Sequence, residues 1–146
     1  MSDFTVEIKP DGKAIVIGIN KFFVDHSKDV HKRLVQGGNE IRNEIIRSMQ
    51  KTLKTGKKYK RGKMFHIASS PGNPPAIDKG ELVRSIIVSD RPTEVEIGSK
   101  GGAPYSKFLE EGTKKMAKRP FLQPAVEKTM PNIIKRIKDD IGRFGQ

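Results

Sequence analysis

Three histidines, His26, His31 and His66, are the only imidazoles in the chain. Imidazole is the side chain best suited to moving protons or holding a transition metal near neutral pH. A helical metal site needs two of them four residues apart, on one face. His26 and His31 are five apart, which turns them to different faces. The carboxylates of Asp139-Asp140 and Glu110-Glu111 are adjacent and diverge on a helix surface, so neither pair is set for acid–base work. Ser69-Ser70-Pro71-Gly72 lies outside any G-x-S-x-G frame and has no base at a recognisable spacing. Gly98-Ser99-Lys100-Gly101-Gly102 lacks the order that places a lysine and a hydroxyl on nucleotide phosphates. No cysteine is present, which excludes disulfides and thiolate metal sites and fits a reducing compartment. The reading is therefore non-enzymatic, with no catalytic, cofactor-binding or metal-ligating residue assigned. The least poor enzymatic alternative is a basic nuclease-like toxin using His66.

Charge is the stronger signal. Lys and Arg number 29 against 17 acids, a net +12, and such a field favours nucleic acid, a membrane surface or an acidic protein. It peaks between residues 51 and 63, where Lys51, Lys54, Lys57, Lys58, Lys60, Arg61 and Lys63 meet no acid. Lys57, Lys58, Lys60, Arg61 and Lys63 are the candidate contacts to an anion or to DNA in a channel. A free DNA-binding module usually presents a recognition helix or stacking aromatics. The run holds one aromatic, Tyr59, so it suits phosphates or acidic subunits.

The elements that position these residues follow from periodicity. Phe4, Val6 and Ile8 alternate with polar neighbours, Pro10-Asp11-Gly12 signals a turn, and Ala14 to Ile19 reads as a second strand. Residues 4–19 are thus expected to be a hairpin. From Ser27, as N-cap, a helical stripe of Val30, Leu34, Ile41, Ile45, Met49 and Leu53 runs to about Thr55. Gly37 and Gly38 either break it, with Asn39 capping the second half, or admit a close neighbour. Residues 56–76, rich in Lys, Gly, Pro and Ser, are expected to form a long mobile basic loop, with room for a short strand at Met64 to Ile67. Asp78 and Glu81 have capping-box spacing for a short helix. Strands at Ser85–Ser89 and Glu94–Ser99 follow, joined by the turn Asp90 to Thr93. One helix opens near Pro104 and ends at Gly112, and a last helix starts near Pro120, with Pro131 kinking it or starting its second half. This is a single α+β domain over 1–146: a small antiparallel sheet with a long helix and a C-terminal helix packed on it, plus the loop. The N-terminus has no signal-peptide pattern, and no apolar run nears the ~20 residues a membrane span needs. A soluble protein, cytoplasmic at synthesis, is expected.

Three blocks are more specific than this. Ala68-Ser-Ser-Pro-Gly-Asn-Pro-Pro-Ala-Ile-Asp-Lys-Gly-Glu-Leu-Val-Arg-Ser-Ile86, Tyr105-Ser-Lys-Phe-Leu-Glu-Glu-Gly-Thr113 and Arg119-Pro-Phe-Leu-Gln-Pro-Ala125 occur in that order. Together they resemble the tail-completion or head–tail joining (minor tail component) family of lambda-like long-tailed bacteriophages. The resemblance implies a non-enzymatic virion protein with an α+β fold, acting in a ring around the DNA channel at the neck. Its implied partners are other neck and tail proteins (tail terminator, connector, tail tube), further copies of itself and, without sequence preference, packaged DNA. It implies residence in the virion, and in host cytoplasm during assembly. Glu111 departs from the pattern, standing where the family usually has an apolar residue.

Pro71, Pro74 and Pro75 would stiffen the loop into an extended strap. Phe121 and Leu122 would cover the corner after Arg119, and Arg119 would pair with Glu110 across it. Pro71, Pro74, Pro75, Glu110, Arg119 and Phe121 are accordingly the expected subunit interface. The competing reading is a free-standing basic nucleic-acid-binding module.

Overall fold

A computed structural model of the chain describes residues 4–9, 14–20, 28–78, 80–100 and 105–144. Strand β1 (Phe4–Ile8) pairs antiparallel with β2 (Ala14–Ile19), Val6 opposite Ile17. The expected hairpin is borne out, but Thr5, Val6 and Glu7 are all exposed, so Val6 is not buried as the period-two reading expects; the turn and the Ser27 cap lie outside the described residues. Helix α1 (Lys28–Lys51) follows. Strands β3 (Lys58–Arg61) and β4 (Met64–Ile67) form a separate two-stranded sheet. After the short helix α2 (Glu81–Ser85), β5 (Ile86–Arg91) and β6 (Glu94–Ser99) turn back on each other through Pro92 and Thr93. Helices α3 (Ser106–Glu111) and α4 (Leu122–Phe144) complete the chain. The main sheet is antiparallel, in the order β1-β2-β6-β5.

One face of that sheet carries Ile15, Ile17, Val95, Ile97 and Ile86, all buried, against α1. The expected stripe on α1 holds for Val30, Leu34, Ile41, Ile45 and Met49, each essentially inaccessible. It fails for Leu53, which is 73% exposed, because the helix stops at Lys51, short of the anticipated Thr55.

The helix does not break at its glycines. A Cβ on Gly37 would stand 2.7 Å from Ile133 Cγ2 on α4, and one on Gly38 would stand 2.6 Å from Val95 Cγ1 on β6. The pair therefore lets α1 lie between sheet and last helix with backbone nearly touching both. Two mid-helix glycines cost about 2 kcal/mol together. Five buried aliphatic or thioether side chains contribute roughly 1.5–3 kcal/mol each, so packing wins.

Polar pairs flank the α1–α4 seam. Lys128 Nζ donates to the Glu44 carboxylate at 2.7 Å and Arg33 Nε to Asp140 at 2.6 Å. Arg136 donates through both terminal nitrogens to Glu40. That fork of hydrogen bonds to Glu40 holds the Arg136 pKa above its already high ordinary value. Helix α4 continues through Pro131 as one element.

Two expectations are corrected here. Residues 56–76 are not one long loop: the short strand allowed for at Met64 to Ile67 is present as β4, and the unforeseen β3 pairs with it in register, Lys58 with Ile67 through Arg61 with Met64. Gly62 opens the two-residue turn at φ +62°, the left-handed conformation that primed hairpin turns require. Nor does Asp78 cap α2. The N-cap is Gly80, with no side-chain cap bond, and the Asp78 carboxylate sits 3.4 Å from His66 Nδ1. Helix α2 is anchored at its other end, where Ser85 Oγ meets Ser99 Oγ at 2.7 Å and donates to the Leu82 carbonyl.

Candidate functional site

The basic hairpin β3–β4 has two unlike faces, as the alternation of a strand requires. Tyr59 and His66 are cross-strand partners, and both line a groove against the body of the protein. Lys58 and Lys60 lie opposite Ile67 and Phe65 and face away. There Lys58 Nζ stands 4.3 Å from the centre of the Phe65 ring, a cation–π approach. Met64 is 74% and Phe65 60% exposed. Lys57, Lys58, Lys60 and Lys63 are exposed beside them, and Arg61 ends β3. A solvated basic surface would not need large apolar side chains among its lysines.

The chain leaving β4 is pinned on both sides. Gly56 N–H donates to the Ala68 carbonyl at 2.7 Å and Ala68 N–H to the Lys57 carbonyl at 3.0 Å. A Cβ on Gly56 would fall 2.1 Å from the Ser69 carbonyl oxygen, so side-chain-free backbone is needed there. The Thr55 and Ser70 hydroxyls meet at 2.6 Å. Gly72 N–H reaches the Lys118 carbonyl at 3.0 Å. The strap foreseen from Pro71, Pro74 and Pro75 is tethered at residues 55–57 and 118, but it is not extended throughout: it turns at Ser70 to Asn73, where the Asn73 N–H donates to the Ser70 carbonyl at 3.2 Å.

Arg119 is the other tether. Its side chain is 5% exposed; Nε donates to the Ser69 carbonyl at 3.1 Å and Nη1 to the Ala117 carbonyl at 3.4 Å. Its backbone N–H donates to the Leu109 carbonyl at 2.6 Å. The anticipated Arg119–Glu110 pair is not made. Glu110 instead accepts the backbone N–H groups of Phe121, Leu122 and Gln123 at 2.7, 3.1 and 3.1 Å. These are donors at the start of α4 that no helical carbonyl can reach. A carboxylate there also meets the positive end of the helix dipole.

The three sequence blocks therefore converge on one joint. The strap carries Ser69 and Gly72, α3 carries Leu109 and Glu110, and the α4 entry carries Lys118 to Gln123.

The expected interface residues divide accordingly. Pro71 is exposed and Pro74 half-buried. Pro75, Glu110, Arg119 and Phe121 are buried within the chain, Phe121 completely. Glu110 and Phe121 hold the joint and leave almost no surface for a neighbour, which corrects their assignment, whereas Pro75 and Arg119 also line the groove. The error has a physical source: Glu110 is polar yet satisfied by backbone groups eleven to thirteen residues on, which no local pattern announces. Sequence reasoning also passed over Met64, Phe65 and Ile67 as exposed apolar groups. The available signal was Gly62 between two alternating runs.

Between the hairpin, strap, α2 and α3 lies the groove, a cavity of about 550 Å³. Leu82, Val83, Leu109, Met116, Ile77 and Met49 give it apolar walls, and Arg119 and Ser69 a polar floor. His66, Asp78 and Glu81 also border it. Among the described residues no group of three or more His, Asp or Glu could hold a metal ion, and no helix is long and apolar enough to cross a membrane.

Comparison of the chain with protein-family models, with curated proteins and with solved structures gives no match.

Proposed function

We propose that this protein is a structural assembly subunit of a bacteriophage particle, seated at the neck where tail joins head. The observation that carries the reading is the outer face of the basic hairpin. Met64 and Phe65 stand largely in solvent amid Lys57, Lys58, Lys60 and Lys63, and exposed apolar side chains grouped in one place mark contact surfaces. Identification of the particle as a phage neck rests on the three sequence blocks. Their meeting at one joint supports reading them as a single structural unit. In such a ring the charged hairpin would face packaged DNA or an acidic neighbouring subunit, and the protein would perform no chemistry.

The test is to delete the gene in the virus that encodes it. Full heads and separate tails, visible by electron microscopy and rejoined by added protein, are the expected result. Normal joined particles that lack the protein by mass spectrometry would sink the proposal.

A second reading has one observation in its favour. Tyr59 and Phe65 are exposed between lysines, the pairing used to stack bases of single strands. A free nucleic-acid-binding module would bind single-stranded DNA tightly and leave head–tail joining intact when deleted.

A further inference from the structure

We infer that the groove between the hairpin and helices α2 and α3 is a docking site for an acidic, apolar peptide segment of a neighbouring subunit, whose carboxylate pairs with Arg119. The inference rests on the assembly reading only in taking the occupant to be a protein chain.

The first argument is charge. Arg119 is 5% exposed, and a guanidinium taken from water normally finds a carboxylate. Among the described residues none pairs with it, and its two side-chain bonds go to neutral carbonyls. A guanidinium offers five N–H donors; these bonds use two, and Nη2 makes none among the described residues. Two parallel bonds to a carboxylate are the geometry this group is built for.

A second observation is independent of the first. Ser69 Oγ is buried without a hydrogen-bond partner, on the strap residue whose carbonyl receives Arg119 Nε. Buried hydroxyls are rarely left so, and a docked segment that shifts the strap slightly would supply an acceptor or donor.

The walls decide the rest of the ligand. Leu82, Leu109, Val83 and Met116 ask for aliphatic side chains beside the carboxylate. The carboxylates on the rim, Asp78 and Glu81, are both exposed and screened by water and salt, whereas Arg119 is buried. Lys57, Lys58, Lys60 and Lys63 lie on the hairpin that bounds the groove and would draw an acidic segment towards it.

The probe is the blocked peptide acetyl-Gly-Leu-Asp-Leu-Gly-amide, titrated into the full-length ¹⁵N-labelled protein. Shifts should cluster at Ser69, Leu109 and the Arg119 side chain. Replacing the peptide's Asp by Asn should weaken binding at least about tenfold, the scale of a charge-assisted pair. Arg119→Lys should do the same, but it risks the fold. Ala76 also lines the groove; Ala76→Phe, which fills it and leaves Arg119 in place, should abolish binding while thermal unfolding stays cooperative. No localised shifts, equal binding of the Asn peptide, or unchanged binding to Ala76→Phe would each overturn the site. Decanoate binding the same residues more tightly than the peptide would also overturn it, by making the ligand a free amphiphile. Expected peptide behaviour in a protein that never enters particles would keep the groove and remove the assembly reading. No peptide binding in a protein present in particles would do the reverse.

Discussion

The Glu110 carboxylate lies 2.7 Å from the backbone nitrogen of Phe121, so a side chain of α3 supplies the cap that α4 lacks in its own sequence. Two more N–H groups share it. Losing an N-cap costs about 0.5–2 kcal/mol, and stranding buried donors costs about 1–3 kcal/mol more. Glu110→Ala should therefore lower stability by about 3 kcal/mol in urea unfolding. Glu110→Gln, which keeps one acceptor oxygen, should lose less. A change under about 0.5 kcal/mol for the alanine would show that water replaces the carboxylate freely.

Gly37 is expected to reject even alanine. The added methyl would sit 2.7 Å from Ile133 Cγ2, and overpacking costs typically about 1–3 kcal/mol, against at most about 1 kcal/mol of gained helix propensity. In an Ile133→Ala background the obstacle is gone, and Gly37→Ala should stabilise. A double-mutant cycle in denaturant reads the sign change; additive effects would mean that the helices slide apart to make room.

The Glu40–Arg136 fork should contribute little and titrate late. Arg136 is over one-third exposed, so a cycle of Glu40→Gln and Arg136→Gln should return about 0.5–1 kcal/mol, reduced by salt. The folded pKa of Arg136 is raised. Its share of stability is thus fully present below the unfolded pKa and is lost only as pH climbs through the folded one. The coupling should stay flat from neutral to about pH 10, arginine being effectively always charged there. A decline within that window would point to rearrangement of the α1–α4 seam.

The hairpin lysines should confer weak DNA binding without sequence preference. Each phosphate neutralised adds about −0.9 to the log–log salt slope, so Lys57, Lys58, Lys60 and Lys63 together would give about −3.6. Serine at all four positions should remove that slope and leave the unfolding midpoint nearly unchanged, since the four are exposed. Nanomolar affinity for one sequence at physiological salt would instead favour a regulatory nucleic-acid binder.

Much of the fold is written in local pattern. The apolar run of β2 and the stripe from Val30 to Met49 place core residues correctly because the residues that each pattern marks are the ones buried. Gly112 ends α3 as its residue type foretells. What escaped was set by distance along the chain. Glu110 matches the charged surface pattern of a short helix, yet it is buried by α4 groups eleven to thirteen residues on. Phe121, following Arg119 and Pro120, reads as a corner residue open to a neighbouring subunit, but it is fully enclosed. The hairpin was hidden for another reason: seven cations within residues 51–63 outweigh, in any compositional reading, the alternation that pairs β3 with β4.

The strap joint also dictates an order of events during synthesis. Ser69 waits for Arg119, fifty residues later, and Glu44 waits for Lys128, eighty-four later. Bonds that close such long spans form late, after local helices and hairpins have settled. A nascent chain halted at residue 118 would hold the hairpin and all four strands of the main sheet but no latch, and its groove would lack a charged floor. The groove and its buried cation are therefore completed only when the last helix is in place.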